Sequence, residues 1–131
     1  MPEKARVLFV CIENSCRSQM AEAFAHLQAD DRIEAFSAGS RPAGRVDPKA
    51  VAAMAELGYD LGGHRSKSLD EIPKVKYDYV ITMGCGDECP FIPAGHHEDW
   101  EIPDPKALPL DEFRKVRDLI EERVKELATR L

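Results

Sequence analysis

A chain of 131 residues, 44% hydrophobic and 32% charged, has the composition of an ordinary globular protein, which excludes a disordered or collagen-like polymer; one domain over residues 1–131 is expected. The formal charge of −6 argues against a nucleic-acid partner, since such partners require a basic surface to displace phosphate counterions; an anionic substrate has to be caught by a local site. The apolar run near the N-terminus is too short for a secretory or membrane-spanning segment, so a cytoplasmic location with no membrane partner is expected.

Arg6 to Val10 is a short, nearly continuous apolar run, as in a parallel strand buried on both faces, and should be the central strand. From Ser18 onward, Met20, Ala21, Phe24, Ala25 and Leu27 paint one face of a helix. Ile33 to Ser37 is a weaker strand, and Ala38 to Arg45, with its glycines and proline, is a loop. Asp47 offers an N-cap with Pro48 at the first helical position, and Gly58 a stop after Val51, Met54, Ala55 and Leu57. Gly62 to Pro73 is polar and irregular, with a helical turn near Leu69 and Ile72; Tyr77 to Met83 is another strand, ended by Gly84. A further short strand is expected around Glu98 to Trp100, followed by a loop punctuated by Pro103, Pro105 and Pro109. Asp111 to Leu131 is an amphipathic helix through Phe113, Val116, Leu119, Ile120, Val124, Leu127 and Leu131; its stripe suits packing on the sheet or a dimeric coiled coil. Strands alternating with helices predict an α/β sandwich on a mostly parallel sheet.

Ligands of open parallel sheets bind at the carboxyl ends of strands, and the residues leaving the first strand are Cys11, Ile12, Glu13, Asn14, Ser15, Cys16, Arg17 and Ser18. A loop entering a helix N-terminus presents backbone N–H groups and the positive end of the helix dipole, which suits a tetrahedral anion. The same field favours Cys11 as a thiolate nucleophile, while the fork of Arg17 can hold two substrate oxygens. Ser18 is placed to donate to Cys11 or to cap the helix, and Asn14 to brace the loop in a left-handed conformation. Taken alone, Cys11 reads as a small buried hydrophobe; C-x5-R between a strand and a helix is what makes it a nucleophile.

The run Val10-Cys11 through Asn14-Ser15-Cys16-Arg17-Ser18-Gln19-Met20-Ala21-Glu22 resembles the active-site loop of the low-molecular-weight tyrosine phosphatase superfamily, specifically its arsenate reductase branch. The similarity extends through Ser37-Ala38-Gly39, His64-Arg65-Ser66, Tyr77 to Met83 and Asp99-Trp100 to Asp104-Pro105. It implies a three-layer sandwich with a four-stranded parallel sheet and helices on both faces, and Asp104 as the acid that protonates a leaving oxygen. On its own chemistry, an Asp before Pro is more often a turn former.

A phosphatase needs only the anion cradle, Cys11, Arg17 and an acid, whereas a reductase also needs thiols that supply two electrons. Cys85 and Cys89, on a loop with Gly84 and Gly86, can provide them. Arsenate reduction is the favoured reading. Phosphotyrosine hydrolysis through a Cys11 phosphoenzyme is the alternative, and a noncatalytic redox module needs neither Arg17 nor Asp104. Lys106 follows Pro105 where tyrosine phosphatases usually carry a tyrosine, which weakens the phosphatase reading. Arsenate or phosphate is the expected ligand, and the resemblance implies thioredoxin, glutaredoxin or a low-molecular-weight thiol as electron donor. Gly84 stands where the thioredoxin-coupled pattern has its first resolving cysteine, so the thiol order among Cys16, Cys85 and Cys89 stays open. The cysteines lack paired C-x2-C knuckles, and His96 and His97 lack metal-spaced companions, so neither metal nor cofactor is assigned. Some thioredoxin-coupled relatives hold potassium on residues matching Asn14, Glu22 and Ser37 plus an acidic residue after the His-x-Ser segment; Lys67 replaces that acid and is long enough to reach Glu22.

Overall fold

The computed structural model describes residues 4–84 and 92–131. Strand β1 (Ala5–Cys11) pairs in parallel with β2 (Ile33–Gly39) on one side and β3 (Tyr77–Thr82) on the other, and β4 (Ala94–Asp99) continues beyond β3. Among the described residues this is a four-stranded sheet of order β2-β1-β3-β4, with β1 interior as its apolar run requires. Successive side chains of β1 leave by opposite faces. Val7, Phe9 and Cys11 enter one core with Ile33 and Ile81, while Leu8 and Val10 enter a second with Ala38, Tyr77 and Val80.

The first core is covered by the helices α1 (Arg17–Gln28), α2 (Pro48–Ala55) and α3 (Leu110–Thr129). The second is covered by the helical turn Leu69–Glu71 together with Ile72 and Ile92. Helix α2 starts as its sequence dictates: Asp47 Oδ1 accepts from Lys49 N at 2.8 Å, Pro48 follows, and Gly58 turns the chain at φ +82°. Phe113, Val116, Ile120, Val124 and Leu127 of α3 are buried within the first core, so the stripe packs inside the molecule and no coiled-coil seam is left. Leu27, Leu57 and Leu131, expected on buried faces, lie at helix ends and are exposed.

The strand expected at Glu98 to Trp100 instead covers Ala94–Asp99 and stops before Trp100. It is an edge strand with mostly exposed side chains, specified by its backbone pairing from Tyr77↔Ala94 to Thr82↔Asp99, so it carries little apolar pattern to read. Trp100 turns inward and packs on Phe9, ring centroids 5.8 Å apart. Among the described residues no helix is long and apolar enough to cross a membrane.

Candidate active site

The loop from Cys11 to Cys16 joins the end of β1 to the start of α1. Its carbonyl groups are taken from outside the loop. Cys11 O accepts from Ser40 N, Ile12 O from Arg41 N, Glu13 O from Ala43 N and Ser66 Oγ, Asn14 O from Gln19 Nε2, and Ser15 O from Asp47 N. In a trans peptide the C=O and the following N–H point in opposite directions, so outward carbonyls turn the intervening N–H groups inward. Asn14 makes the turn possible with φ +51°, a left-handed conformation that its short polar side chain tolerates. Gly39, paired with Cys11 across β1 and β2, makes room: a Cβ there would lie 2.6 Å from Ile12 O and 2.9 Å from Asn14 N.

The loop encloses a cavity of about 60 Å³ lined by Cys11, Ile12, Glu13, Ser15, Cys16, Arg17, Asp104 and Lys106. Arg17 is 6% exposed; its Nη1 donates to Ile102 O at 3.0 Å and its Nη2 lies 3.9 Å from Asp104 Oδ2. The segment after β4 is therefore tied to the loop after β1 by the same arginine that faces the cavity. Asp104 is more than half exposed, and its Oδ1 accepts from Lys106 N at 3.1 Å, closing a turn over Pro105.

Asn14 and Ser18, expected among the oxyanion-binding residues, do not line the cavity. They are fully buried beside it and act on Cys11. Ser18 Oγ is 2.8 Å from Cys11 Sγ, and Asn14 N donates to the same sulfur at 3.3 Å. Hydrogen-bond directions follow from the partners. Gln19 Nε2 faces three acceptors, Asn14 O, Asn14 Oδ1 and Arg65 O, so its Oε1 must accept from His64 Nδ1 at 2.9 Å. The neutral His64 then accepts from the hydroxyl of Tyr59 through Nε2 at 2.6 Å. Burial lowers the His64 pKa against the opposing pull of Glu22, which keeps that neutral form. Asn14 Oδ1 is occupied by Gln19 Nε2 and Lys67 N, so Asn14 Nδ2 donates to Ser18 Oγ at 2.8 Å, leaving the hydroxyl hydrogen of Ser18 for Cys11. The whole chain donates toward the sulfur, as a thiolate requires. Ser18 lies inside the first turn of α1 and is not its cap.

Sequence reasoning gave no role to Gln19 or Tyr59; a glutamine next to Ser18 and ahead of the apolar Met20 and Ala21 at the start of α1 was the available signal for the first. Cys16 is a buried thiol whose pKa is pushed up to about 12, by burial first and then by Asp47. It remains protonated in the cavity wall, which suits packing and not attack. Cys85 and Cys89 lie outside the described residues. His96 stacks on Tyr79 with centroids 4.8 Å apart, and His97 Nε2 lies 2.6 Å from Ile92 O. Among the described residues no group of three or more metal-ligating side chains comes together.

The family model for low molecular weight phosphotyrosine protein phosphatase matches residues 6–131. A glutaredoxin arsenate reductase of Synechocystis is 40% identical over 129 residues, 96% of this chain and 98% of that protein. The solved structure of an arsenate reductase in its phosphate-binding state superposes with a TM-score of 0.86 at 38% identity, covering 96% of this chain and 98% of its own. The thioredoxin-dependent arsenate reductase of Corynebacterium glutamicum gives a TM-score of 0.75 at 34% identity, with 95% of this chain matched to 60% of that one.

Proposed function

The chain belongs to the low-molecular-weight phosphotyrosine protein phosphatase family, and from that membership and the site at Cys11 we infer that it is an arsenate reductase. One observation carries the assignment of the nucleophile: Cys11 Sγ receives the hydroxyl of Ser18 and the N–H of Asn14 and lines a small cavity together with Arg17 and Asp104. In the proposed reaction the Cys11 thiolate attacks the arsenic of arsenate, forming a sulfur–arsenic bond. Arg17 and the inward N–H groups hold the remaining oxygens as charge builds on them. The departing oxygen takes a proton from Asp104 and leaves as water, because oxide and hydroxide leave poorly. A second thiolate then attacks Cys11 Sγ; a disulfide forms, the sulfur–arsenic bond breaks, and its electron pair stays on arsenic, which is reduced from the +5 to the +3 state.

Cys85 and Cys89 are the proposed source of that second thiol, and an external thiol donor returns the disulfide to two thiols. Relatives use glutaredoxin or thioredoxin by name, so donor class and donor identity are separate questions. The protein is proposed to work in the cytoplasm, where such donors keep thiols reduced. The test is a side-by-side turnover assay of wild type and Cys11→Ser with arsenate and with an aryl phosphate. Wild type should reduce arsenate with thiol consumption, and Cys11→Ser should lose all turnover while still binding the oxyanion. Arsenate reduction by Cys11→Ser would overturn the assignment.

A further inference from the structure

Glu13 and Lys106 both line the Cys11 cavity and come to it from different segments of the chain. Glu13 belongs to the loop after β1, and Lys106 to the segment after β4 that carries Asp104. Lys106 Nζ lies 2.9 Å from Glu13 Oε1 and 2.6 Å from Oε2. The same lysine holds Asp104 Oδ1 through its backbone N–H at 3.1 Å. One residue thus fixes the carboxylate of Asp104 and bridges to the loop after β1.

We propose that the Glu13–Lys106 pair is a specificity-determining clasp that spans the mouth of the Cys11 cavity and restricts the site to a free tetrahedral oxyanion, excluding the organic part of a phosphate monoester. The inference rests on the reading of Cys11 as the nucleophile. An attacking sulfur displaces the oxygen opposite to it, so the leaving oxygen points away from Cys11 toward Asp104 and the mouth. In arsenate that oxygen carries at most a proton. In a monoester it carries carbon, and the organic group must pass between Glu13 and Lys106. The space beside Cys11 is about 60 Å³, room for a small ion, against about 150 Å³ for an apolar cavity that holds benzene, so an aryl group would have to project past Glu13 and Lys106. Electrostatics points the same way: a lone carboxylate at Glu13 would repel an incoming dianion, and its pairing with Lys106 removes that penalty while keeping the mouth bridged. Both side chains are substantially exposed, 36% for Glu13 and 51% for Lys106, so the clasp is weak enough to open and is screened by salt.

The test compares kcat/KM for p-nitrophenyl phosphate and for arsenate in wild type, Lys106→Arg and the Glu13→Ala/Lys106→Ala double variant, which removes one charge of each sign. The double variant should raise the ratio of aryl phosphate to arsenate kcat/KM about fivefold, as expected from losing an exposed ion pair. Lys106→Arg, which can rebuild the bridge, should keep the wild-type ratio. A double variant with the wild-type ratio would overturn the clasp and leave the reductase reading intact. Calorimetric titration of inorganic phosphate into wild type and the double variant reads the cavity itself. Absence of binding to both would overturn the site reading and the clasp together. Should the double variant fail to fold, the Glu13→Ser/Lys106→Ser double variant, which also removes one charge of each sign, carries the same comparison.

Discussion

Gly84 lies against Arg17: a Cβ built on it would stand 2.5 Å from Nη1 and 3.2 Å from Ile102 O, at a backbone φ of +79°. Arg17 Nη1 donates to that same carbonyl, so the missing side chain at residue 84 is the space in which the arginine is held. By the resemblance, this is the position where the thioredoxin-coupled pattern has its first resolving cysteine. A side chain there would have to push the Arg17 guanidinium aside, and the nearest thiol in sequence is Cys85.

Gly84→Ala should therefore damage catalysis more than folding. Moving the guanidinium by about 1 Å is expected to lower kcat/KM for arsenate by about 100-fold. The left-handed backbone adds a stability loss of about 1 kcal/mol. Steady-state kinetics beside a melting curve separates the two, and a variant with wild-type kinetics would show that Arg17 does not depend on this glycine.

Replacing Cys85 and Cys89 together by serine should remove multiple-turnover arsenate reduction and spare slow hydrolysis of an aryl phosphate, since ester hydrolysis needs water and an acid but no second thiol. Cys16 offers no substitute, because its buried thiol, held up to about 12, is almost never ionised near neutral pH. Undiminished reduction with an external thiol would mean that the donor resolves Cys11 directly.

The sheet was legible where burial writes a pattern. Ala5–Cys11 is apolar on both faces and Pro48–Ala55 carries its own cap, so both were readable from composition and spacing. Ala94–Asp99 was not, because an exposed edge strand is chosen by the register of its neighbour. In the site, Cys11, Arg17 and Asp104 were recognisable from motif chemistry and resemblance. The chain from Tyr59 through His64 and Gln19 to Asn14 joins residues up to 45 positions apart in individual links, and no local spacing encodes it. The Glu13–Lys106 bridge spans 93 positions and was equally invisible.

Glu56 should govern part of the acid stability. Its carboxylate accepts from Arg114 Nε at 3.0 Å and from Arg117 Nη1 at 2.7 Å, clamping the end of α2 to α3. Hydrogen bonds from Arg114 and then Arg117 lower its pKa from 4.5 to about 2. A carboxylate whose pKa falls on folding contributes stability above its unfolded value, and that contribution is lost as pH falls from about 4.5 toward about 2. Glu56→Gln should lower the melting temperature at pH 7 and flatten its fall across that window. Because Glu56 is exposed, both differences should shrink in high salt. A wild-type and variant pair with parallel acid profiles would remove Glu56 from the account.

Lys67 should make the enzyme indifferent to potassium. Its Nζ lies 3.2 Å from Ser37 Oγ, 3.3 Å from Arg65 O and 3.7 Å from Glu22 Oε1, while Ser37 donates to Glu22 at 2.6 Å. Burial of Glu22 opposes its charged form, but hydrogen bonds from His26 and Ser37 and the charge of Lys67 outweigh it and hold the carboxyl below its ordinary range. An ammonium therefore stands among the side chains that, by the resemblance, match the potassium ligands of some thioredoxin-coupled proteins, and the Lys67 backbone N–H also fixes Asn14 Oδ1 at 2.9 Å. Fixed positive charge next to the Cys11 loop is supplied by the chain itself. Activity and melting temperature should be the same in potassium and in tetramethylammonium at equal ionic strength. Lys67→Asp sets a second carboxylate beside Glu22, and should lower the melting temperature in tetramethylammonium and recover part of the loss when potassium is added. Specific stabilisation of the wild-type protein by millimolar potassium would contradict this account, and so would a Lys67→Asp variant that ignores the cation.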